Sequence, residues 1–156
     1  MALVCVKNGS LARDRVRREL GVNWAFFDET AWNGPKSEAE VGQRTSLSLS
    51  PRAFPYFEEE ITPPHPATGI EANFDWTSAA SDVKVRAIVE GQIANLYEQT
   101  RWAGTFKHII LAGGASRSAG IRRTIERIFG AETSVADVAD AAALGAALIA
   151  QRNKTC

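Results

Sequence analysis

Two cysteines, two histidines and one methionine are all that the 156 residues hold of the side chains most used for metal and redox chemistry. Cys5 and Cys156 stand at opposite ends of the chain and do not resemble a secreted disulfide framework or a metal cluster, so the expected setting is reducing and cytoplasmic. Cys5 lies in the apolar run Ala2-Leu3-Val4-Cys5-Val6 and reads as a buried small hydrophobe. His65 and His108 are not in ligand spacing. HExxH, a Ser/His/Asp order and a Cys/His cluster are all missing from the sequence, so no residue is assigned as catalytic or metal-binding. Charge of one sign is missing too: 18 basic residues face 18 acidic ones. That balance gives no support for a nucleic-acid partner or an acidic membrane surface. Long hydrophobic runs are also missing. MALVCV is short and carries no basic leader, so a signal peptide is not expected. The stretch from Ala139 to Ala150 falls short of the roughly 20 apolar residues that span a bilayer.

What is present is a globular composition, 45% hydrophobic and 23% charged. The length suits one ordinary domain with a core. Residues 2–6 read as a buried strand. Ser10 is the expected N-cap of a helix over 11–20, with Ala12, Val16 and Leu20 on one face and Gly21 as its stop. A short aromatic helix is expected over Trp24 to Trp32. All six prolines fall between Gly34 and Gly69, which excludes regular helix there. A short strand is expected within Phe54 to Ile61, broken at Pro55. Residues 80–103 read as one long helix with a stripe of Val85, Val89, Ile93 and Leu96/Tyr97, ended by Gly104. A strand over Lys107 to Ala112 comes next. A helix burying Ile121, Ile125 and Ile128/Phe129 follows, with Gly130 behind it. Thr133 to Ala136 read as a strand. A small-residue helix then runs from Asp137 or Asp140 to Ala150. This alternation predicts an α/β layer with parallel pairing.

One stretch carries candidate chemistry. LAGGASRSAG, Leu111 to Gly120, leaves the end of a strand and opens a helix. Ligands of open α/β sheets bind at that edge. Glycines let a backbone approach a ligand, and a helix start offers N–H groups. The order is neither GxGxxG nor GxxxxGK[ST]. Two readings stand: a nucleotide site, or a βα turn whose glycines serve geometry alone.

The other features have plainer readings. Glu58-Glu59-Glu60 reads as a solvated loop face. Gly145, mid-helix, costs roughly 1 kcal/mol relative to alanine, so close helix packing is expected around it. Trp24, Phe26, Phe27 and Trp32 read as core beneath the proline-rich segment. His65 and His108 read as structural.

Five segments, from four successive regions, resemble one family in order. Lys7-Asn8-Gly9-Ser10-Leu11-Ala12-Arg13 resembles the segment after the second phosphate motif of FGGY carbohydrate kinases, closest to the eukaryotic-type xylulose kinases. Glu60-Ile61-Thr62-Pro63 and Val85-Arg86-Ala87-Ile88-Val89-Glu90-Gly91-Gln92 are similar to the same family's middle section. Ala112-Gly113-Gly114-Ala115-Ser116 resembles its adenosine motif, and Ala141 to Ala147 its C-terminal helix. The resemblance covers nearly the whole chain. Each motif alone is weak; their order makes them specific.

The resemblance implies an actin-like, ribonuclease H-like ATPase fold, here as one incomplete C-terminal domain over residues 1–156 of a two-domain kinase. It implies ATP or ADP and Mg²⁺ as ligands and γ-phosphoryl transfer to a sugar hydroxyl, driven by positioning and charge stabilisation. The sugar pocket, the first phosphate loop and the aspartate base belong in the family to an N-terminal domain. The second phosphate motif, a Gly-Thr-Ser turn, would precede Ala2. The chain is therefore expected to begin inside the second domain, to leave a strand edge open and to be inactive by itself. The nucleotide-binding residues implied are Gly113 and Gly114, against ribose and α-phosphate, with Ala115, Ser116, Arg117 and Ser118 continuing the adenosine wall. The family commonly has asparagine where Ser118 stands, and glutamate where Asp140 stands. A different class of function is a non-catalytic actin-like binding module that has lost ATP binding. A third, a chaperone-like or actin-like ATPase, fits the Glu60 to Pro63 and Val85 to Gln92 segments less well.

Overall fold

A computed structural model describes residues 3–32, 50–136 and 141–152. Asp137, Asp140, Cys156 and the expected connection from Gly34 to residue 49 lie outside the described residues. Helix α1 is Ser10–Glu19 and α2 is Trp24–Thr30. Strands β1, Ala53–Tyr56, and β4, Gly69–Ala72, pair antiparallel; β2, Glu60–Ile61, and β3, Pro64–His65, form a smaller hairpin between them. The long helix α3, Ser81–Thr100, follows. Strand β5, His108–Leu111, α4, Ala119–Phe129, and β6, Glu132–Val135, make a βαβ unit with β5 and β6 parallel. Helix α5, Ala141–Arg152, follows.

Helix α3 is the centre of the molecule. Val85, Val89 and Ile93 recur every fourth residue and pack with Phe27, Ala31, Ile121, Ile125 and Phe129. Its other side is buried as well, because Ala87 and Ile88 join Val16 and Ala53 in a second core. The expected stripe was therefore half of the pattern. Gly91 shows why α3 lies so close to β1: a Cβ there would meet the Ala53 carbonyl oxygen at 2.1 Å. Strand β1 runs through Pro55, opposite Ile70, instead of breaking there. In a two-stranded ladder each strand keeps a free edge, where proline is tolerated.

The helix α4 follows its sequence signals closely. Ile121, Ile125, Ile128 and Phe129 are buried, and Gly130 takes the left-handed C-cap conformation at φ 63°. Gly21 and Gly104 also adopt positive φ, 67° and 87°, at the ends expected of them.

Five expectations need correction. Residues 3–6 form no strand, and Leu3 is 82% exposed. No strand among the described residues pairs with them, and an unpaired apolar run has no ladder to enter. Cys5 is accordingly an exposed free thiol. Ser10 is the first residue of α1, not its cap: Gly9 is the N-cap and no side chain bonds there. Trp24 is half exposed, while Phe27 beside it is buried. Gly145 has no heavy atom within 4 Å of a built Cβ, so among the described residues no neighbour explains it. Leu144, Leu148 and Ile149 on the same helix are exposed.

Candidate functional site

The glycine turn stands at the carboxyl end of β5. Gly113 has φ 85°, a conformation that favours glycine. Gly114–Arg117 then make one 3-10 turn, and Ser118 is the N-cap of α4. Gly113, Gly114 and Arg117 are exposed; Ala115 and Ser118 are half-buried. Ser116 is buried, and its hydroxyl donates to the Gly113 carbonyl at 2.6 Å. That bond and the Ser116 N–H to the same carbonyl, at 3.1 Å, tie the turn closed. A substituent at Gly114 would meet nothing within 4 Å, so this backbone is open to an approaching molecule.

The hydroxyl of Ser118 faces inward. It donates to the Asp28 carboxylate and accepts the Ile121 N–H at 3.1 Å. The same carboxylate oxygen accepts the Gly120 N–H at 3.3 Å. Asp28, on α2, therefore joins that helix to the start of α4. A side chain at Gly120 would meet the Asp28 carbonyl oxygen at 2.5 Å, so the two helices approach backbone to backbone at this point. What the turn presents outward is backbone at Gly113 and Gly114 and the side chain of Arg117.

Trp24 stands four residues before Asp28, one helical turn away on the same face of α2. Its ring is half exposed, with Phe27 edge-on at 5.4 Å and the Arg17 guanidinium 5.0 Å away. Sequence reasoning placed Trp24 in the core and did not single out Asp28.

A second polar constellation sits at the other end of α1. The Glu60 carboxylate is buried and accepts the N–H groups of Lys7 at 2.7 Å, Asn8 at 3.0 Å and Ile61 at 2.8 Å, and the Asn8 amide at 3.1 Å. Gln92 donates to the Asn8 carbonyl at 2.6 Å and accepts Arg13 at 2.8 Å. Burial raises the Glu60 pKa, but the hydrogen bonds from Lys7, Asn8 and Ile61 outweigh it and hold the group below the ordinary glutamate value. The Glu58 to Glu60 run is thus not uniformly solvated: its last member is a structural anchor.

The histidines take no part in the glycine turn. His65 stacks on Tyr56 at 3.9 Å, with Glu71 3.6 Å from its ring. His108 bonds the Ser134 hydroxyl at 2.8 Å on the exposed side of β5 and β6. Among the described residues no group of three or more His, Cys, Asp or Glu gathers in a way that could hold a metal ion. No helix among the described residues is long and apolar enough to cross a membrane.

No protein-family model matches the chain. Individual proteins do. It is 31% identical over 157 residues to the xylulose kinase of Rattus norvegicus, covering 94% of this chain and 27% of that one. It is 29% identical over 174 residues to xylulose kinase 2 of Arabidopsis thaliana, covering 100% and 29%. Among solved structures, the xylulose kinase of Bifidobacterium adolescentis matches with a TM-score of 0.65 at 24% identity, over 86% of this chain and 26% of that one. The expected actin-like α/β fold is shown in part-domain form. The chain spans about a quarter of the length of the relatives it matches.

Proposed function

We propose that this chain, a relative of one segment of the xylulose kinases, is the nucleotide-binding part of an ATP-dependent sugar kinase acting on a pentulose, D-xylulose by the names of its relatives. One observation carries the reading. The exposed Gly113-Gly114 backbone lies where a strand ends and a helix begins, the edge at which α/β sheets take ligands. In this reading Gly113 to Ser118 form one wall of the adenosine site. Glycine is required at both turn positions for different reasons: Gly113 for its positive φ, Gly114 for open approach.

Residues 1–156 then act as a single partial domain. Sugar, base and phosphate-gripping groups come from other sequence, as the family resemblance implies, and the chain alone is inactive. Its own residues bind and orient; they move no proton. Magnesium would reach the site on the nucleotide phosphates.

Two measurements test this. Calorimetric titration of the 156-residue chain with ADP is expected to saturate, and an assay with ATP, magnesium and D-xylulose is expected to show no turnover. Turnover by the isolated chain would refute the assignment of the base to other sequence. No saturable binding would favour the second reading, a non-catalytic binding module. The inward-facing hydroxyl of Ser118 supports that alternative, because it leaves the base with one hydrogen-bonding group fewer.

A further inference from the structure

We propose that His65 is a proton-operated clasp, separate from the glycine turn, that joins the hairpin of β2 and β3 to the hairpin of β1 and β4. Both ring nitrogens of His65 face acceptors. Nδ1 lies 2.9 Å from the Pro66 carbonyl oxygen, and Nε2 lies 3.6 Å from an oxygen of the Glu71 carboxylate. Neither a carbonyl nor an ionised carboxylate can donate. A neutral imidazole carries one N–H, so one of the two contacts then sets a ring lone pair against an oxygen. An imidazolium points an N–H at both, and its charge meets that of Glu71 between β3 and β4.

The groups around the ring fit the charged form. Tyr56 of β1 stacks on His65 at 3.9 Å, with 18° between the planes, and Phe54 stacks on Tyr56 from the same strand. An aromatic face attracts a cation. Burial, and then the charges of Glu71 and Glu60, raise the Tyr56 pKa, so its phenol stays neutral while an imidazole titrates. Thr68 Oγ1 donates to the same Glu71 oxygen at 2.6 Å and fixes it in place. Glu60 stands opposite His65 in the β2–β3 register, but its carboxylate is taken up by Lys7, Asn8 and Ile61. That pairing gives the clasp its reach, because Glu60 holds the turn before α1. The small hairpin is tied to that turn through Glu60 and to α3 through Asn95, which donates to the Thr62 carbonyl at 3.4 Å. His65 adds a tie to β4 that is made in the protonated state. His65 is half-buried and Glu71 exposed, so both exchange protons with water. The clasp is closed where the imidazole is protonated and opens as pH rises through its range, about 5 to 8.

A double-mutant cycle on the 156-residue chain tests this, with His65→Gln, Glu71→Gln and both together, read by urea unfolding at about pH 5.5 and about pH 8. At the lower pH the two side chains are expected to be coupled by about two- to fivefold in the unfolding equilibrium constant, the range of an exposed ion pair. At the higher pH the coupling is expected to fall below about 1.5-fold. A merely packing role does not depend on the proton, so equal coupling at both pH values would overturn the proposal, as would no coupling at either. A second measurement needs the wild-type chain alone: the nitrogen-15 shifts of the His65 ring, which report where its proton sits. In the neutral ring the proton is expected on Nδ1, toward the Pro66 carbonyl. A neutral ring with its proton on Nε2 would keep the bond to Glu71 at high pH and would overturn the proposal. That arm decides the matter even if a variant does not fold.

Discussion

Glu60 and Asn8, 52 residues apart, are joined twice: the Asn8 backbone N–H and its side-chain amide both reach one oxygen of the Glu60 carboxylate, at 3.0 and 3.1 Å. The other oxygen takes the N–H groups of Lys7 and Ile61. Asn8 returns the contact, accepting the Glu58 N–H at 3.0 Å and donating to its carbonyl at 2.9 Å. The turn before α1 is therefore held by a buried side chain from β2. Removing the carboxylate leaves several donors without partners. Glu60→Ala is expected to destabilise the fold by about 3 kcal/mol, read from urea unfolding.

The same carboxylate gives stability a dependence on pH. Its folded pKa is lowered, so the unfolded chain binds the proton more readily. The stabilisation is therefore complete above the unfolded glutamate value and is lost as pH falls through the lowered folded one. Urea midpoints measured across the acid range are expected to fall more steeply for wild type than for Glu60→Gln. Parallel curves would show that the group contributes nothing to acid sensitivity.

Two helical glycines make opposite predictions. Alanine is the better helix former by about 1 kcal/mol. At Gly145, where a Cβ meets nothing, Gly145→Ala is expected to stabilise α5 by up to that amount. At Gly91 the Cβ meets the Ala53 carbonyl oxygen at 2.1 Å, and backbone cannot swing aside as a long side chain can. Gly91→Ala is expected to lose about 3 kcal/mol despite the gain in propensity. Thermal unfolding of both variants, beside helicity by circular dichroism, checks the contrast.

These two positions also show what was legible in the sequence. Local signals served well where they were local. The Ile121, Ile125, Ile128 period and Gly130 placed α4 and its end, and the βαβ alternation gave the parallel pair. Contacts between distant segments were not legible. Gly91 against Ala53 and Glu60 against Lys7 and Asn8 each depend on chains about 40 to 50 residues apart meeting in space. An acidic run looks solvated until a neighbour supplies N–H groups to its last member. At the glycine turn the backbone was readable from the residue types. The inward turn of Ser118 was not, because its partner Asp28 lies 90 residues away.

Blocking the turn separates binding from folding. Gly114 is exposed and a side chain there meets no atom of the protein within 4 Å. Gly114→Trp is expected to change stability by less than about 0.5 kcal/mol and to lower ADP affinity by at least about tenfold. Calorimetry and a thermal melt on one preparation give both values. Unchanged ADP binding would place the nucleotide elsewhere.

Ser118 does two jobs with one hydroxyl, and substitution can divide them. As N-cap it accepts the Ile121 N–H; as donor it meets Asp28. Ser118→Ala removes both and leaves the Asp28 carboxylate, among the described residues, with the Gly120 N–H. The expected loss is about 1 kcal/mol for the cap and about 1 kcal/mol more for the second hydrogen bond. Ser118→Asn keeps a capping oxygen and an amide donor on a longer arm. It is expected to recover most of that stability, measured by urea unfolding. If asparagine were as destabilising as alanine, the hydroxyl's short reach to Asp28, rather than its capping chemistry, would be what holds the start of α4 against α2.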